Sequence, residues 1–460
     1  MGVRVNSIWA SRPTASFVLL SGFLIVLCAA GGASRADVWG QVVVRAAAWI
    51  CLILALVFGD RPAAKAIGPV AVLMLAAIAL TLLQIVPLPP SIWQMLPGRG
   101  VLGSAALLSG QSQPWRPWSI VPDATLNALS SLIVPAVVLL LVLGLTRRER
   151  AWLPSLVLAL IALSTLIGLL QFSGAHLDNP LINDELGQVS GTFANRNHFA
   201  LYLACGCLLA PVWAFMEERR MHRRGPLAFA LLLLFALTIL ASGSRAGMLV
   251  GLLAMCLGLL LSRQGIRREL RRAPKWVVRV LIFVVVGIIA AVILTSVAAN
   301  RAESINRTIA LGVGEDMRTR GLPVVLDMIG HYFPFGSGLG GFDPLFRLHE
   351  PMALLKPTYF NHAHNDFLEI VLDAGLPGLL LLLAALGWWA KATFRAWREK
   401  ADRPHVIPRL GSAMLLLIML ASLVDYPART PMIMAIVMIA AVWLSDHAQP
   451  ASASALPQSA

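Results

Sequence analysis

Charge is what this chain has least of. Asp, Glu, Lys and Arg together supply 13% of its 460 residues, about half their share in soluble domains. That scarcity excludes an ordinary water-soluble domain as the bulk of the molecule. Acidic residues are the scarcer kind, 23 against 37 basic, for a net charge of +14. Outside the apolar runs no basic face is interleaved with aromatic residues, so nucleic acid is not an expected partner. The five cysteines, Cys28, Cys51, Cys205, Cys207 and Cys256, all fall inside apolar segments. They read as small buried hydrophobes, which excludes a disulfide framework and a cysteine metal site. What is abundant is apolar surface, at 58% of residues. A bilayer-spanning helix needs roughly 20 mainly apolar residues. The chain accordingly reads as an all-α integral membrane protein, one polytopic domain over 1–446.

Apolar runs give about 12 transmembrane helices, at 15–33, 39–59, 66–86, 126–145, 152–172, 198–216, 226–242, 245–262, 277–299, 376–396, 407–424 and 430–446. The first follows Arg4 and Arg12 and precedes small residues, so it reads as a span or as a cleaved signal peptide. With the N-terminus inside, the even-numbered connections hold the basic clusters: Arg61 and Lys65; Arg147, Arg148 and Arg150; Arg219, Arg220, Arg223 and Arg224; Arg263 through Lys275; and Lys391 through Arg409. Short outer connections such as 34–38 and 425–429 hold one arginine each. That asymmetry follows the positive-inside rule, and a miscounted span would scramble it. Both long connections, about 87–125 and 300–375, then lie on the outer side. The first is rich in proline and tryptophan and is expected along the outer leaflet. The second, between spans nine and ten, is expected to contain short helices. The tail 447–460 is low in complexity and reads as disordered and cytoplasmic.

Three polar clusters remain, all assigned to the outer side. Gly191-Thr192-Phe193-Ala194-Asn195-Arg196-Asn197-His198 opens span six, and Ser242-Gly243-Ser244-Arg245-Ala246-Gly247 makes the tight turn before span eight. The long loop carries Arg318, Arg320, the glycine-rich 336–341 and His362-Ala363-His364-Asn365-Asp366. Arg245 sits where a helix enters the bilayer, a costly place for a guanidinium unless it snorkels or meets an anion. Free N–H groups at the helix start add partial positive charge, and small neighbours leave room for a ligand. The alternative is an interfacial arginine on lipid phosphate. Arg318 and Arg320 have Glu315 and Asp316 close by in sequence, so local ion pairing competes with a binding role. Gly336–Gly341, with Gly338 and Gly340, reads either as a phosphate cradle or as a plain turn. Phe367, Ile370, Val371 and Ala374 form a helical apolar stripe, with Asp366, Glu369 and Asp373 directed away from it. This is an interfacial amphipathic helix, ended by Gly375 and followed by Pro377 in the first turn of span ten. His362, His364 and Asp366 suit a metal poorly, since their alternate spacing fits a strand and no further ligand presents itself. A histidine beside carboxylates makes a general base.

At these residues the chain resembles the O-antigen ligase and polymerase superfamily of bacterial envelope glycosyltransferases. His364-Asn365, nine residues, then Gly375-Leu376-Pro377-Gly378 match the ligase signature in full. The 191–199 segment is similar to the family's Gly-Thr-Phe-x-Asn-Pro-Asn stretch, with Arg196 where proline is common. Ser242–Arg245 and Pro334–Gly340 resemble the family's arginine turn and the segment before its histidine. The resemblance covers roughly 125–445 and implies a multi-pass protein of the bacterial inner membrane with its active site facing the periplasm. It implies transfer of a glycan from an undecaprenyl-diphosphate carrier to an acceptor hydroxyl, with inversion and with neither metal nor cofactor. His364 would take the acceptor proton, and Arg245 with Arg318, or Arg320 in its place, would meet the diphosphate. Asn195, Asn197, His198, Asn365, His362, Gly338 and Gly340 would line the substrates. The acceptor is lipid A-core, a growing O-antigen or exopolysaccharide, or a protein hydroxyl, since ligases, polymerases and protein O-oligosaccharyltransferases share these motifs. A polar-lipid transporter or flippase is the rival from another class. It predicts charges near the bilayer midplane, and Arg45 in span two is the main one present.

Overall fold

A computed structural model describes residues 12–59, 68–174, 179–182, 188–216, 221–272, scattered positions from 274 to 294, 313–355, 360–398 and 406–445. Among these residues the architecture is helical, with one two-stranded ribbon. Seven of the described helices are long and apolar enough to cross a membrane, and four shorter apolar helices accompany them. Together these eleven correspond to the expected spans except the one at 277–299, which lies largely outside the described residues, as does the tail from 446.

The helices are α1 (Ala15–Ala30), α2 (Trp39–Phe58), α3 (Pro69–Ile85), α4 (Pro90–Trp93), α5 (Gly100–Leu108), α6 (Pro122–Ser131), α7 (Ile133–Leu143), α8 (Arg147–Arg150), α9 (Leu153–Phe172), α10 (Arg196–Phe215), α11 (Met221–Ala241) and α12 (Arg245–Arg272). They continue with α13 (Val313–Tyr332), α14 (Phe342–His349), α15 (Asp366–Arg398), α16 (Val406–Ser422) and α17 (Pro431–Ser445). The expected span at 126–145 begins earlier and is interrupted at Leu132. Pro135 has no N–H to give the carbonyl four residues back, so the helix breaks just there.

Helix α10 is the centre of the bundle: 89% of its apolar window is buried, against 22% for α2. It packs on α9, α11, α12 and α16. Glycines permit the closest of these contacts. A Cβ at Gly247 on α12 would lie 2.3 Å from that of Ala200. At the opposite end from the polar clusters, Thr146 and Glu149 form a reciprocal cap on α8, and Glu149 also accepts from Thr14 N at 2.7 Å, tying α8 to the start of α1.

The connection 313–355 is more helical than a loop with short helices. Val325, Met328 and Tyr332 recur at i, i+3 and i+7 and are buried, which drives the 20-residue helix α13. With Phe342, Phe346, Leu354, Phe360 and Leu372 they form a second, smaller core that caps one end of the bundle. Arg318 and Arg320 are therefore on a helix rather than in a loop. The 87–121 connection braces this cap instead of only lining the leaflet. Trp93 is 1% exposed, and Arg99 donates to Trp118 O at 2.7 Å and to Gly336 O at 2.8 Å. Burial pushes the Arg99 guanidinium down to about 10.

Candidate active site

Connections distant in sequence meet at the capped end. Ala194 N donates to Gly32 O at 3.1 Å, Met432 N to Gly31 O at 3.0 Å and Ser244 Oγ to Asn197 Oδ1 at 2.8 Å. At their junction lies a residue with no place in the sequence expectations, Asp425, between α16 and α17 and 3% exposed. Its Oδ1 is 3.2 Å from His364 Nδ1 and 3.8 Å from His198 Nε2. Its Oδ2 accepts from Asn197 Nδ2 at 2.8 Å and from Asn195 Nδ2 at 3.4 Å. Burial alone would raise this carboxyl, but the His198 and His364 imidazoles hold it well below the usual carboxylate range.

Each partner is positioned by local structure. Asn195 caps α10 by accepting from Asn197 N at 2.8 Å, and so aims both amides at Asp425. His198, three residues on from Asn195, sends Nδ1 to Thr430 Oγ1 at 3.0 Å. His364 has φ +49, and Asn365 fixes the chain after it by donating to Leu423 O at 3.0 Å and capping Leu368 N at 3.1 Å. The imidazole packs on Phe360 and Tyr426, with ring centroids 5.0 and 4.9 Å apart.

A second network lies across Tyr426, on the acidic face of the first two turns of α15. That face is the buried one. Asp366 is 4% exposed and Glu369 and Asp373 are 0%, whereas Phe367, Ile370 and Val371 are only half-buried. An interfacial helix with its carboxylates toward water is thus corrected, and the reason is Arg429. Its guanidinium stands 3.3 Å from Asp366 Oδ1, 3.2 Å from Glu369 Oε1 and 3.7 Å from Asp373 Oδ2. Burial would lower this guanidinium, but the three carboxylates raise it above the usual arginine range. His362 joins through Nδ1 to Glu369 Oε1 at 2.8 Å and packs at a tilt against Tyr426 with ring centroids 4.3 Å apart.

The glycine run turns inward. Ser337 N and Gly338 N donate to Leu372 O and Asp373 O at 3.0 and 2.8 Å, Leu339 N to Gln84 Oε1 at 2.9 Å, and Gly340 N to Asp373 Oδ2 at 3.1 Å. Gly375, with φ +56, closes the arrangement: a Cβ there would sit 2.1 Å from Pro334 O. The α15 kink and the 334–341 turn are therefore fitted to each other by backbone.

Arg245 starts α12 beside this site, since its neighbours Ala246 and Gly247 line a small pocket with Asn197, His198 and Asp425. Arg196 joins it there: its Nη1 is 3.7 Å from where a Gly243 Cβ would lie. Arg320 reaches across to Ala353 O at 3.0 Å. Arg318 is on α13, but its side chain lies outside what the structure describes, as do those of Glu315 and Asp316. No three His, Cys, Asp or Glu among the described residues are arranged to hold a metal ion.

Residues 229–383 match the family model of O-antigen ligase. The match supports placing the chain in the O-antigen ligase and polymerase superfamily, as its motifs suggested. It takes in Arg245, the glycine run, His364 and the Gly375–Gly378 motif, and stops before Asp425 and Arg429. No curated protein matches the chain. The O-antigen ligase family describes multi-pass membrane enzymes that handle lipid-linked glycans.

Proposed function

We propose that the protein transfers a glycan from an undecaprenyl-diphosphate carrier to an acceptor hydroxyl at the periplasmic face of the bacterial inner membrane, in the manner of an O-antigen ligase. The observation that carries this reading is the His364–Asp425 pair, a part-exposed imidazole oriented by a buried carboxylate at 3.2 Å. A carboxylate fixed on one ring nitrogen sets the tautomer, leaves the other nitrogen as proton acceptor and stabilises the imidazolium that forms. Asn195, Asn197 and His198 keep that carboxylate in place.

His364 takes the proton of the acceptor hydroxyl as its oxygen forms a bond to the anomeric carbon. The anomeric C–O bond to the diphosphate breaks on the opposite face, so configuration inverts and the lipid diphosphate departs with the electron pair. Arg245 and the α12 N-terminus, with Arg318 or Arg320 from α13, meet the developing charge; a forked, permanently charged guanidinium suits phosphate oxygens. Asn365 holds the His364 segment. Gly338 and Gly340 shape the site through Asp373 and the α15 kink, and His362 borders it across Tyr426.

The test is turnover by the purified full chain with a lipid-diphosphate glycan and candidate acceptors. Loss of at least a hundredfold in His364→Ala and Arg245→Ala, with the proteins still folded, is the expected result. Undiminished turnover by His364→Ala would remove the general base from the scheme.

A further inference from the structure

Between α3 and α6 the chain leaves the bundle for a stretch of unusual composition. From Val86 to Pro122 it holds no Asp or Glu and only two cations, Arg99 and Arg116. Within it, α5 has no charged residue at all. Val101, Ser104, Ala105 and Leu108 recur at i, i+3, i+4 and i+7 and are exposed, while Ala106 on the other face is buried. Leu108 is 89% exposed, and Met95 of the turn after α4 and Trp115 are 81% and 66% exposed. Gln113 Nε2 donates to Gly103 O at 3.0 Å and Trp93 Nε1 to Pro114 O at 2.9 Å, which ties Trp115 to α4 and α5. The apolar residues are thus one platform. Single exposed hydrophobes are ordinary, but a joined patch of them marks a membrane or partner surface.

The stems fix the height of this platform. The apolar helix α3 ends at Ile85, and Pro87–Leu88 pairs with Arg116–Pro117 in the two-stranded ribbon just before α6 begins at Pro122. Both stems therefore leave apolar helices at the capped end of the bundle, where a bilayer gives way to water. Tryptophan belongs at that level, and a stretch without carboxylates meets no repulsion from lipid phosphate. The platform also reaches the candidate site. Arg99 is the residue that opens α5 and the donor to Gly336 O at 2.8 Å. Gly98 before it has φ +74, and a Cβ there would lie 2.3 Å from Tyr332 Cε1, so the joint is seated on α13. A Cβ at Gly336 would lie 2.5 Å from Gly375 N, which sets that turn directly on the α15 kink.

We infer that α4, α5 and Trp115 form a lipid-seated platform. Its apolar face is buried in the leaflet at the capped end of the bundle, and through Arg99 that leaflet holds the Gly336 turn against the α15 kink. The partner is the lipid of the surrounding bilayer. The seat stands apart from the transferase reading above, whereas its effect on turnover rests on that reading.

The experiment places nitroxide labels on the full chain in nanodiscs of phosphatidylethanolamine and phosphatidylglycerol. The background is Cys256→Ser, because Cys256 is exposed and the other four cysteines are buried. Collision of each label with oxygen, which concentrates in lipid, is compared with collision with a water-soluble nickel chelate. The oxygen-to-nickel ratio at Val101→Cys and Leu108→Cys should be at least fivefold that at Gln111→Cys, an exposed polar position past the end of α5. A ratio at 101 and 108 no higher than at 111 would put the face in water and overturn the proposal. Labels shielded from both reagents would also overturn it, since protein, a partner or a second copy, would then cover the face. In turnover, Leu108→Asp should lower kcat at least threefold while remaining as stable as wild type in detergent, and Gln111→Asp should match wild type. Wild-type kcat in Leu108→Asp would overturn the hold on Gly336. If wild type turned over no lipid-diphosphate glycan while the labels read as expected, the transferase reading would fail and the lipid seat would stand.

Discussion

Two histidine–carboxylate pairs flank one tyrosine, and they are built from similar parts to opposite balance. On one side Asp425 is a single carboxylate among His198, His364, Asn195 and Asn197, with Arg196 and Arg245 beyond. On the other, Glu369, Asp366 and Asp373 crowd around Arg429 with His362. The first has a surplus of cationic and neutral donors, which suits an incoming diphosphate. The second has a surplus of carboxylates locked on one buried arginine, which suits holding helices together. Arg429 joins the 427–429 turn to three successive positions on the buried face of α15, and that face carries the His364 segment on its N-terminal end. On the proposed reading, the same residue types serve chemistry on one side of Tyr426 and construction on the other.

The sharpest way to break this comparison is Arg429→Ala. Removing one partner of a buried ionic cluster leaves the others uncompensated, and about 3–5 kcal/mol of stability should be lost. Thermal unfolding in detergent would show it, and activity should fall only as the folded fraction falls. Asp425→Asn should do the reverse. It keeps size but turns one acceptor oxygen into a donor and loses the charge that orients His364, so kcat per folded molecule should drop by about 10²–10⁴, with the unfolding temperature lowered less than in Arg429→Ala. If Arg429→Ala were the stable, inactive variant and Asp425→Asn the unstable one, the roles of the two sides would be exchanged.

Gly375→Ala comes next. It forces a side chain onto a backbone at φ +56 and into Pro334 O at 2.1 Å, which should cost about 1–3 kcal/mol and slow turnover by moving the His364 segment. A proteolysis midpoint and kcat would be read together. The smallest effect expected is acidic. Asp425 is held below its ordinary value, so its stabilising charge is complete above the unfolded carboxylate pKa of about 3.9 and fades only as pH falls through the lower folded value. The stability gap between wild type and Asp425→Asn should therefore be constant from neutral pH to about 4 and close below it. A gap closing near pH 6 would mean that the histidines, not Asp425, govern it.

Much of the architecture was legible because a span announces itself by length and hydropathy, and eleven of the expected spans meet an apolar helix. His364, Asn195, Asn197, His198 and Arg245 stood out because polar residues at the ends of apolar helices are few. Their gathering around one point was readable only as a shared side. The focus itself, Asp425, was hidden because a lone aspartate in a short connection looks like ordinary punctuation. Its partners are 61 and 227 or more positions away in sequence, a separation that no local pattern encodes. The acidic face of α15 misled for a related reason: amphipathic periodicity separates two faces but does not say which is buried. One arginine more than 50 residues downstream decides that, and in the sequence it reads only as an outer-loop residue. The brace from Arg99 to Gly336 was equally invisible, as its acceptors are backbone carbonyls.

The central claim is that His364 and Asp425 act as one unit on an acceptor hydroxyl. Single-turnover transfer from a lipid-diphosphate glycan should be measured for His364→Ala, Asp425→Asn and the double variant. Groups that act as a unit are not additive, so the double variant should be no slower than His364→Ala alone. Losses that multiply, or an Asp425→Asn rate equal to wild type, would show that the two residues act separately and contradict the assignment.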